Sequence, residues 1–250
     1  MDNTVKEPLI HLSKREDMSF GKKWLVRIIA ILLSLIVCAG FIFIIIKMNP
    51  VEVYEGIVEG AVGTGRRFWV TARDALTLLC VAVAVTPAFK MKFWNIGAEG
   101  QILMGCVASA AMMIYAGNAL PTGLLLLLMF VCSFIAGGIW GIIPAFFKAR
   151  WNTNETLFTL MLNYVAMQVV TFCIVYWENP AGSNSVGIIN ASTRAGWLPQ
   201  LFGLDYGWNL AIVLLLTVLM FIYMKRTKHG YEIAVVGESE NTARYAGINV

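Results

Sequence analysis

Charged residues are scarce in this chain of 250 residues. Aspartate, glutamate, lysine and arginine make up only 14% of it, whereas 58% is hydrophobic; an ordinary soluble domain has roughly 25% and 45–50%. So few charges exclude a soluble globular domain and predict an integral membrane protein. The net charge of +4 comes mostly from basic residues beside apolar runs, a pattern that orients membrane spans and does not favour nucleic-acid binding.

Residues for catalysis and metal binding are also scarce. Neither of the two histidines, His11 and His229, lies in an apolar run, so no histidine is available for an intramembrane metal site. The five cysteines have neither CxxC nor zinc-site spacing. The sequence has no GxxxxGK[ST] phosphate loop, no GxSxG elbow and no HExxH pair. We therefore predict a protein that is not an enzyme, has no catalytic or metal-binding residues and does not hydrolyse ATP itself.

Apolar segments predict an all-α fold, a polytopic transmembrane helical bundle. The six segments are about 28–46, 75–89, 102–116, 122–147, 157–176 and 207–224. Two of them, 75–89 and 102–116, are shorter than the roughly 20 residues that a helix needs to cross the hydrocarbon core. This predicts that some of the helices are short or broken.

The distribution of lysine and arginine predicts a cytoplasmic N-terminus, because these residues are enriched in cytoplasmic loops. This orientation places most of them inside: Lys6, Lys14, Arg15, Lys22, Lys23, Arg27, Lys90, Lys92, Lys148, Arg150, Lys225, Arg226, Lys228 and Arg244. It leaves five outside: Lys47, Arg66, Arg67, Arg73 and Arg194. In segment 51–74, three of these arginines lie beside Phe68 and Trp69, which predicts an interfacial amphipathic helix leading into the second span. The polar connection 177–206 is outside, either as a docking surface or as an inert connector.

The stretch FWNIGAEGQ, residues 93–101, lies between the two short segments. Gly97 and Gly100 would each weaken a helix by about 1 kcal/mol relative to alanine. The stretch therefore predicts a helix break, in which Asn95, Glu99 and Gln101 satisfy freed backbone groups or line a substrate pathway. The alternative is a cytoplasmic turn that caps the next helix, which the lysines just upstream favour.

A second polar residue, Asn163, lies in the middle of the fifth apolar segment. Thr159 precedes it by four residues and so shares its helix face. Polar groups in spans generally face a bundle interior or a wet cavity. Two roles are open for Asn163: an interhelical hydrogen bond, a term of about 1 kcal/mol, or a place in the lining of a substrate pathway.

Three stretches, in order along the chain, resemble one family: FWNIGAEGQ at 93–101, NETLFTLMLNYVA at 154–166 and GYEIAVVGESENTARYAGI at 230–248. They are similar to signatures of the permease subunits of ATP-binding-cassette importers of the branched-chain amino acid and ribose type. The NIGAEGQ and MLNY forms look most like the nucleoside and simple-sugar branch. The third stretch departs from the family pattern at Ala234, where arginine is usual, and at Ser239-Glu240, where Asn-Pro is usual. Ser239 is also a good N-cap, so we expect it to begin a helix.

The resemblance implies a multi-pass permease of a prokaryotic plasma membrane that moves a nucleoside or simple sugar. It implies several partners: ATP-binding-cassette ATPase subunits that bind ATP and magnesium, a second permease subunit, and an extracytoplasmic binding protein or lipoprotein. This chain itself would hold no cofactor. The cytoplasmic segment 225–250 would couple to the ATPase through a set of matching positions: Tyr231, Gly237, Glu238, Arg244, Tyr245 and Gly247.

Two other classes of protein remain as alternatives. The first is a secondary transporter coupled to an ion, for which Glu99 is the one acidic residue between apolar segments with a plausible buried role. The second is a membrane scaffold or receptor that transports nothing. Family members continue with further spans after the third signature, so we expect residues 1–250 to be a single permease domain that is incomplete at its C-terminus.

Overall fold

The computed structural model describes residues 19–201, 203 and 206–248. The basic residues Lys6, Lys14 and Arg15, which entered the prediction of orientation, and His11 lie outside the described residues. Within them the fold is all-helical, as predicted, with no β-strand. Six helices are long and apolar enough to cross a membrane. The chain divides into two compact units, 1–71 and 72–250.

The first unit begins with α1 (Phe20–Phe41), which continues through a π-helical turn (Ile42–Ile46) as one apolar stretch of 27 residues. Asn49 caps α2 (Pro50–Val62) by accepting a hydrogen bond from the Val51 backbone N–H. The Tyr54 hydroxyl donates to the backbone oxygen of Leu35 at 2.6 Å, which joins α2 to α1. No side chain of α1 or α2 is buried.

The second transmembrane helix, α3 (Gly65–Lys90), has 26 residues and begins in the first unit. Arg66, Arg67 and Arg73 lie in its first turns. The predicted interfacial helix at 51–74 is therefore wrong as a single element, since residues 50–62 form a separate helix and the arginines belong to the span. At Arg73 the guanidinium pairs with Asp74 at 2.8 Å and lies 5.5 Å from the ring of Tyr206.

The second unit continues with α4 (Ala98–Ala116), α5 (Thr122–Trp151) and α6 (Glu155–Tyr176). α4 packs most extensively against α5 and next against α6. Few side chains are fully enclosed, among them Leu125, Thr159 and Ala166, whereas most large apolar side chains are exposed. Outward-facing apolar side chains are expected where lipid tails surround the helices.

The two segments predicted to be short are of ordinary spanning length, and this part of the prediction was wrong. α3 is ~39 Å long and α4 ~28 Å long at 1.5 Å per residue. Hydropathy excluded the polar ends of both helices, although the backbone continues through them. In α4, the helix N-terminus accommodates Glu99 and Gln101 because its free N–H groups and positive dipole end favour acceptors there.

The second unit ends with α7 (Gly207–Arg226), α8 (Lys228–Glu238) and the short α9 (Glu240–Tyr245). Thr227 caps α8 through the Gly230 N–H, and Ser239 caps α9 through the Thr242 N–H. The predicted N-cap role of Ser239 is thus confirmed. The predicted segment 225–250 consists of the end of α7 followed by two helices that meet at Ser239.

Candidate functional site

The polar stretch 93–101 lies at one end of the bundle. Residues 91–97 connect α3 to α4 outside any helix, and Glu99 and Gln101 belong to α4. Lys92 Nζ donates to the backbone oxygen of Glu238 in α8 at 3.4 Å. Nearby, at the end of α5, Lys148 Nζ pairs with the Glu155 carboxylate at 2.9 Å. Of the two depths open to this stretch, the structure has the turn at the end of the helices, on the same side as α8.

Asn163 of α6 holds this connection and the start of α4. Its side chain is only 4% exposed. The Oδ1 atom accepts from the Gly100 N–H at 2.9 Å, and Nδ2 donates to the Ile96 oxygen at 3.0 Å. The Gly100 N–H lies in the first turn of α4, where backbone donors have no partner within their own helix. Asn163 therefore caps α4 from a neighbouring helix, which is the interhelical hydrogen bond among the two predicted roles.

Thr159, one turn before Asn163, contacts the same connection. Its hydroxyl donates to the Glu155 oxygen at 2.7 Å and accepts from the Ile96 N–H at 3.3 Å. Both polar groups of the Ile96 backbone are thus bound by α6. The predicted shared face of Thr159 and Asn163 is used to fasten residues 96–100.

The two glycines of the stretch allow α6 to approach. A Cβ at Gly97 would lie 3.0 Å from the Thr159 Cβ. A Cβ at Gly100 would lie 2.8 Å from Asn163 Oδ1 and 3.3 Å from the Asn163 Cα. Small residues at such contacts let helix backbones pack closely in membranes. The glycines therefore serve close packing, and only residues 91–97 leave the helical conformation.

The other polar residues of the stretch have different surroundings. Asn95 Oδ1 accepts from the Gly97 N–H at 2.9 Å and stabilises the turn. Asn95 and Gln101 also line a cavity, whereas Glu99 and Asn163 are not among its lining residues. Glu99 is exposed. The predicted pathway set is therefore split, with two members at the cavity, one in a helix contact and one on the surface.

The cavity lies between α3 on one side and α4 and α5 on the other, with a volume of about 780 Å³. Along α4 its lining extends from Ala98 to Met113, a distance of ~22 Å. Asn95 lies at one end and Ile189 of the 177–201 connection at the other. The cavity thus extends along most of the length of α4.

Neutral groups alone line this cavity. Its polar members are two amides and two hydroxyls, and none of its lining residues is Asp, Glu, Lys, Arg or His. The hydroxyls of Ser109 and Ser133 bond each other across α4 and α5, and Ser133 Oγ also donates to the Gly105 oxygen at 3.0 Å. Such a lining can offer hydrogen bonds to a neutral polar molecule, but it provides no countercharge for an ionic one.

At the end opposite α8, the 177–201 connection is fastened to α4. Asn190 Nδ2 donates to the Met113 oxygen at 2.8 Å, and Trp177 Nε1 donates to the Tyr115 hydroxyl at 2.8 Å. Trp197 Nε1 donates to the Ile189 oxygen at 3.1 Å. The connection is therefore ordered against the mouth of the cavity.

The residues predicted to couple to an ATPase divide between surface and packing positions. Tyr231 and Tyr245 are 64% and 95% exposed, and Glu238 and Arg244 are also exposed. Gly247 has a φ of 74°, which glycine adopts without strain. Gly237 is buried, and a Cβ there would overlap the backbone oxygen of Lys90.

Sequence reasoning missed Ser109, Ser133, Glu155 and the partnership of Lys148 with Glu155. Gly105 and Ser109 are four residues apart, a small-xxx-small spacing that marks close helix packing and could have identified this face of α4. No comparable pattern indicates Glu155, because it directly follows the N-cap Asn154 and resembles an ordinary first-turn carboxylate.

Comparison with known proteins agrees with this architecture. Residues 69–250 match the family described as branched-chain amino acid transport system / permease component, and the chain belongs to this family. Together with its six apolar helices, this identifies a multi-pass protein of a prokaryotic cell membrane. No solved structure matches the chain significantly.

Three curated relatives are similar over most of this chain. It is 30% identical to the guanosine ABC transporter permease protein NupP of Bacillus subtilis over 90% of this chain and 65% of the relative. It is 30% identical to the nucleoside ABC transporter permease protein NupB of Lactococcus lactis over 91% and 64%. For the glucose ABC transporter permease protein TsgB13 of Haloferax volcanii the identity is 27% over 87% and 59%. The chain thus spans about two thirds or less of the length of each relative.

Replacing Gly100 with alanine tests the close contact between α4 and α6. We expect the substitution to destabilise the bundle by about 1–3 kcal/mol, because the added methyl would overlap Asn163. The thermal midpoint of the detergent-solubilised protein should fall by roughly 3–10 °C, measured by size-exclusion chromatography after heating. Gly123→Ala in α5 is the matched control, since a Cβ there would meet no atom within 4 Å. An unchanged midpoint for Gly100→Ala would contradict the contact.

Proposed function

We propose that this chain is a membrane-spanning permease subunit of an ATP-binding-cassette importer and carries a neutral nucleoside or simple sugar into the cytoplasm. The observation that carries the proposal is the uncharged cavity along α4, with Asn95, Gln101, Ser109 and Ser133 as its polar groups. Ribose and hexose hydroxyls and nucleobase amides can exchange hydrogen bonds with amides and hydroxyls of this kind. The printed names of the relatives, guanosine, nucleoside and glucose permeases, agree with this substrate class.

The lining also argues against a branched-chain amino acid as substrate, although the family description names that class. A free amino acid carries a carboxylate and an ammonium group, and each would lose its hydration in the cavity without a countercharge. Burying an unpaired charge is far more costly than burying a hydroxyl that keeps a hydrogen bond. The same lining disfavours the ion-coupled alternative, because Glu99 does not reach the cavity.

ATP would be bound and hydrolysed, with magnesium, by partner ATPase subunits that contact α8 and α9. The exposed side chains there, Tyr231, Glu238, Arg244 and Tyr245, form the docking surface in this proposal. A second permease subunit would complete the membrane assembly. A binding protein or lipoprotein outside the cell would deliver substrate near the 177–201 connection. This requires the predicted orientation, with the N-terminus and α8 in the cytoplasm.

Uptake measurements test the function directly. The full-length protein, with its neighbouring transporter genes, is expressed in a host that lacks nucleoside and sugar importers. We expect ATP-dependent accumulation of radiolabelled guanosine, uridine or glucose, and no accumulation of radiolabelled leucine. Uptake driven by a proton or sodium gradient without ATP would support the ion-coupled alternative. Absence of flux for every substrate with the complete assembly would support a scaffold or receptor.

Cys106 offers a test of the cavity as the route. Cys106 lines the cavity, whereas Cys173 of α6 does not. In variants that retain only one of these cysteines, a small methanethiosulfonate reagent should inhibit uptake at Cys106 by at least fivefold, and bound substrate should slow the reaction. The Cys173 variant should keep its uptake. Equal inhibition of the two variants, or no protection by substrate, would place the route elsewhere.

Arg244→Glu tests the docking surface. Arg244 is exposed in the last turn of α9, so reversing its charge should leave the fold intact and weaken the contact with an ATPase. We expect uptake to fall at least tenfold, while the binding protein still associates with the transporter in pull-down measurements. Arg150→Glu, the same charge change at an exposed arginine of α5, is the control. Wild-type uptake by Arg244→Glu would remove the coupling role.

A further inference from the structure

We propose that residues 91–97 transmit the movement of α8 to the α4 wall of the cavity, and that Glu155 and Asn163 are the positioning residues of this link. The proposal rests on the proposed function, in which an ATPase moves α8. It assigns a mechanical role to the connection between α3 and α4.

The link begins at a direct backbone contact between α8 and the end of α3. Gly237 lies against the Lys90 oxygen so closely that a Cβ would overlap it, and the same Cβ would lie 3.4 Å from the Met91 Cα. Lys92 Nζ adds a hydrogen bond to the Glu238 oxygen at 3.4 Å. Two backbones in contact cannot approach further, so a displacement of α8 toward the bundle must move residues 90–92.

The middle of the link is held by a carboxylate. The Trp94 backbone N–H donates to the Glu155 carboxylate, which also pairs with Lys148 Nζ at 2.9 Å. The carboxyl of Glu155 is mostly shielded, with 16% of the side chain exposed. Glu155 therefore ties the connection to the ends of α5 and α6, and residue 94 can move only with that junction.

The last part of the link reaches the cavity. Asn163 binds the Ile96 oxygen and the Gly100 N–H, so residues 96–100 form one unit with α6. Asn95 and Gln101, on either side of Ile96, both line the cavity. A displacement of the connection therefore changes the positions of two of the four polar side chains available to the substrate.

No other packed route of this kind connects α8 to the cavity wall. α7 packs extensively only against α8 and makes no extensive contact with α4, α5 or α6 in the described residues. Between the α8–α9 junction and residues 91–93 lies a second space of about 400 Å³, lined by Lys148, Glu155 and Ser239 among others. The contact of Gly237 with residues 90–92 is thus a narrow bridge beside an open polar space.

Removing the carboxylate tests the link. Transporter containing Glu155→Ala is reconstituted in vesicles with its ATPase and binding protein, and substrate uptake and ATP hydrolysis are measured on the same preparation. We expect ATP hydrolysis within about twofold of the parent and uptake reduced at least tenfold, so that the number of molecules moved per ATP falls. Glu155→Gln, which keeps an acceptor for the Trp94 N–H, should recover part of that ratio. Glu55→Ala in α2, an exposed carboxylate, should keep the parental ratio.

The ratio separates this proposal from a merely structural role of Glu155. If uptake and hydrolysis fall together, in proportion to the amount of assembled transporter, or if the ratio stays at the parental value, the proposal is overturned. ATP-driven uptake by the parent is measured first. Its absence would contradict the proposed function, whatever Glu155 does.

A cross-link tests whether α8 and the connection move together and does not depend on a destabilising substitution. In a variant without the five native cysteines, Lys92→Cys and Glu238→Cys are joined by a short thiol cross-linker that can later be cleaved by reduction. We expect the cross-linked transporter to keep at least half of its uptake, because the two segments move as one body. Loss of uptake on cross-linking, with recovery on reduction, would show that they move apart and would overturn the proposal.

Discussion

The bond from the buried amide of Asn163 to the start of α4 is the contact on which the rest of the second unit depends. A helix leaves its first backbone N–H groups without partners, and in a membrane there is little water to bind them. Asn163 satisfies the Gly100 N–H from a neighbouring helix and binds the Ile96 oxygen with its other atom. This arrangement requires the backbones of α4 and α6 to approach closely, which glycine at position 100 permits.

The separation of charge in the second unit follows from this anchoring. Because α4 begins at the end of the bundle, the ionic contacts of Lys92, Lys148 and Glu155 gather there, next to α8. The face that α4 turns toward α3 and α5 carries small and neutral side chains instead, including Ser109, and leaves an elongated cavity. An uncharged route along the helices with ionic contacts at one end suits a permease for neutral substrates that is driven from that end.

Much of the fold follows from the sequence. Low charge and six apolar runs predict an all-helical membrane protein, and Ser239 predicts the start of a helix that the structure contains. The ordered resemblance of three stretches predicts the permease family. The lengths of α3 and α4 do not follow from hydropathy, because a helix continues through polar turns such as the one that contains Glu99 and Gln101. Nor does the role of Glu155, whose partners Lys148 and Trp94 are close only after α5 and α6 have packed.

The sequence by itself determined the membrane class, the family and the presence of polar residues at 95, 99, 101 and 163, because composition and local motifs carry that information. Only the tertiary structure decided what each polar residue does. It places Asn163 in a helix contact, Asn95 and Gln101 at a cavity and Glu99 on the surface. The physical reason is that a polar side chain in a helix can face lipid, another helix or a cavity, and helix packing, which joins residues distant in the chain, selects among them.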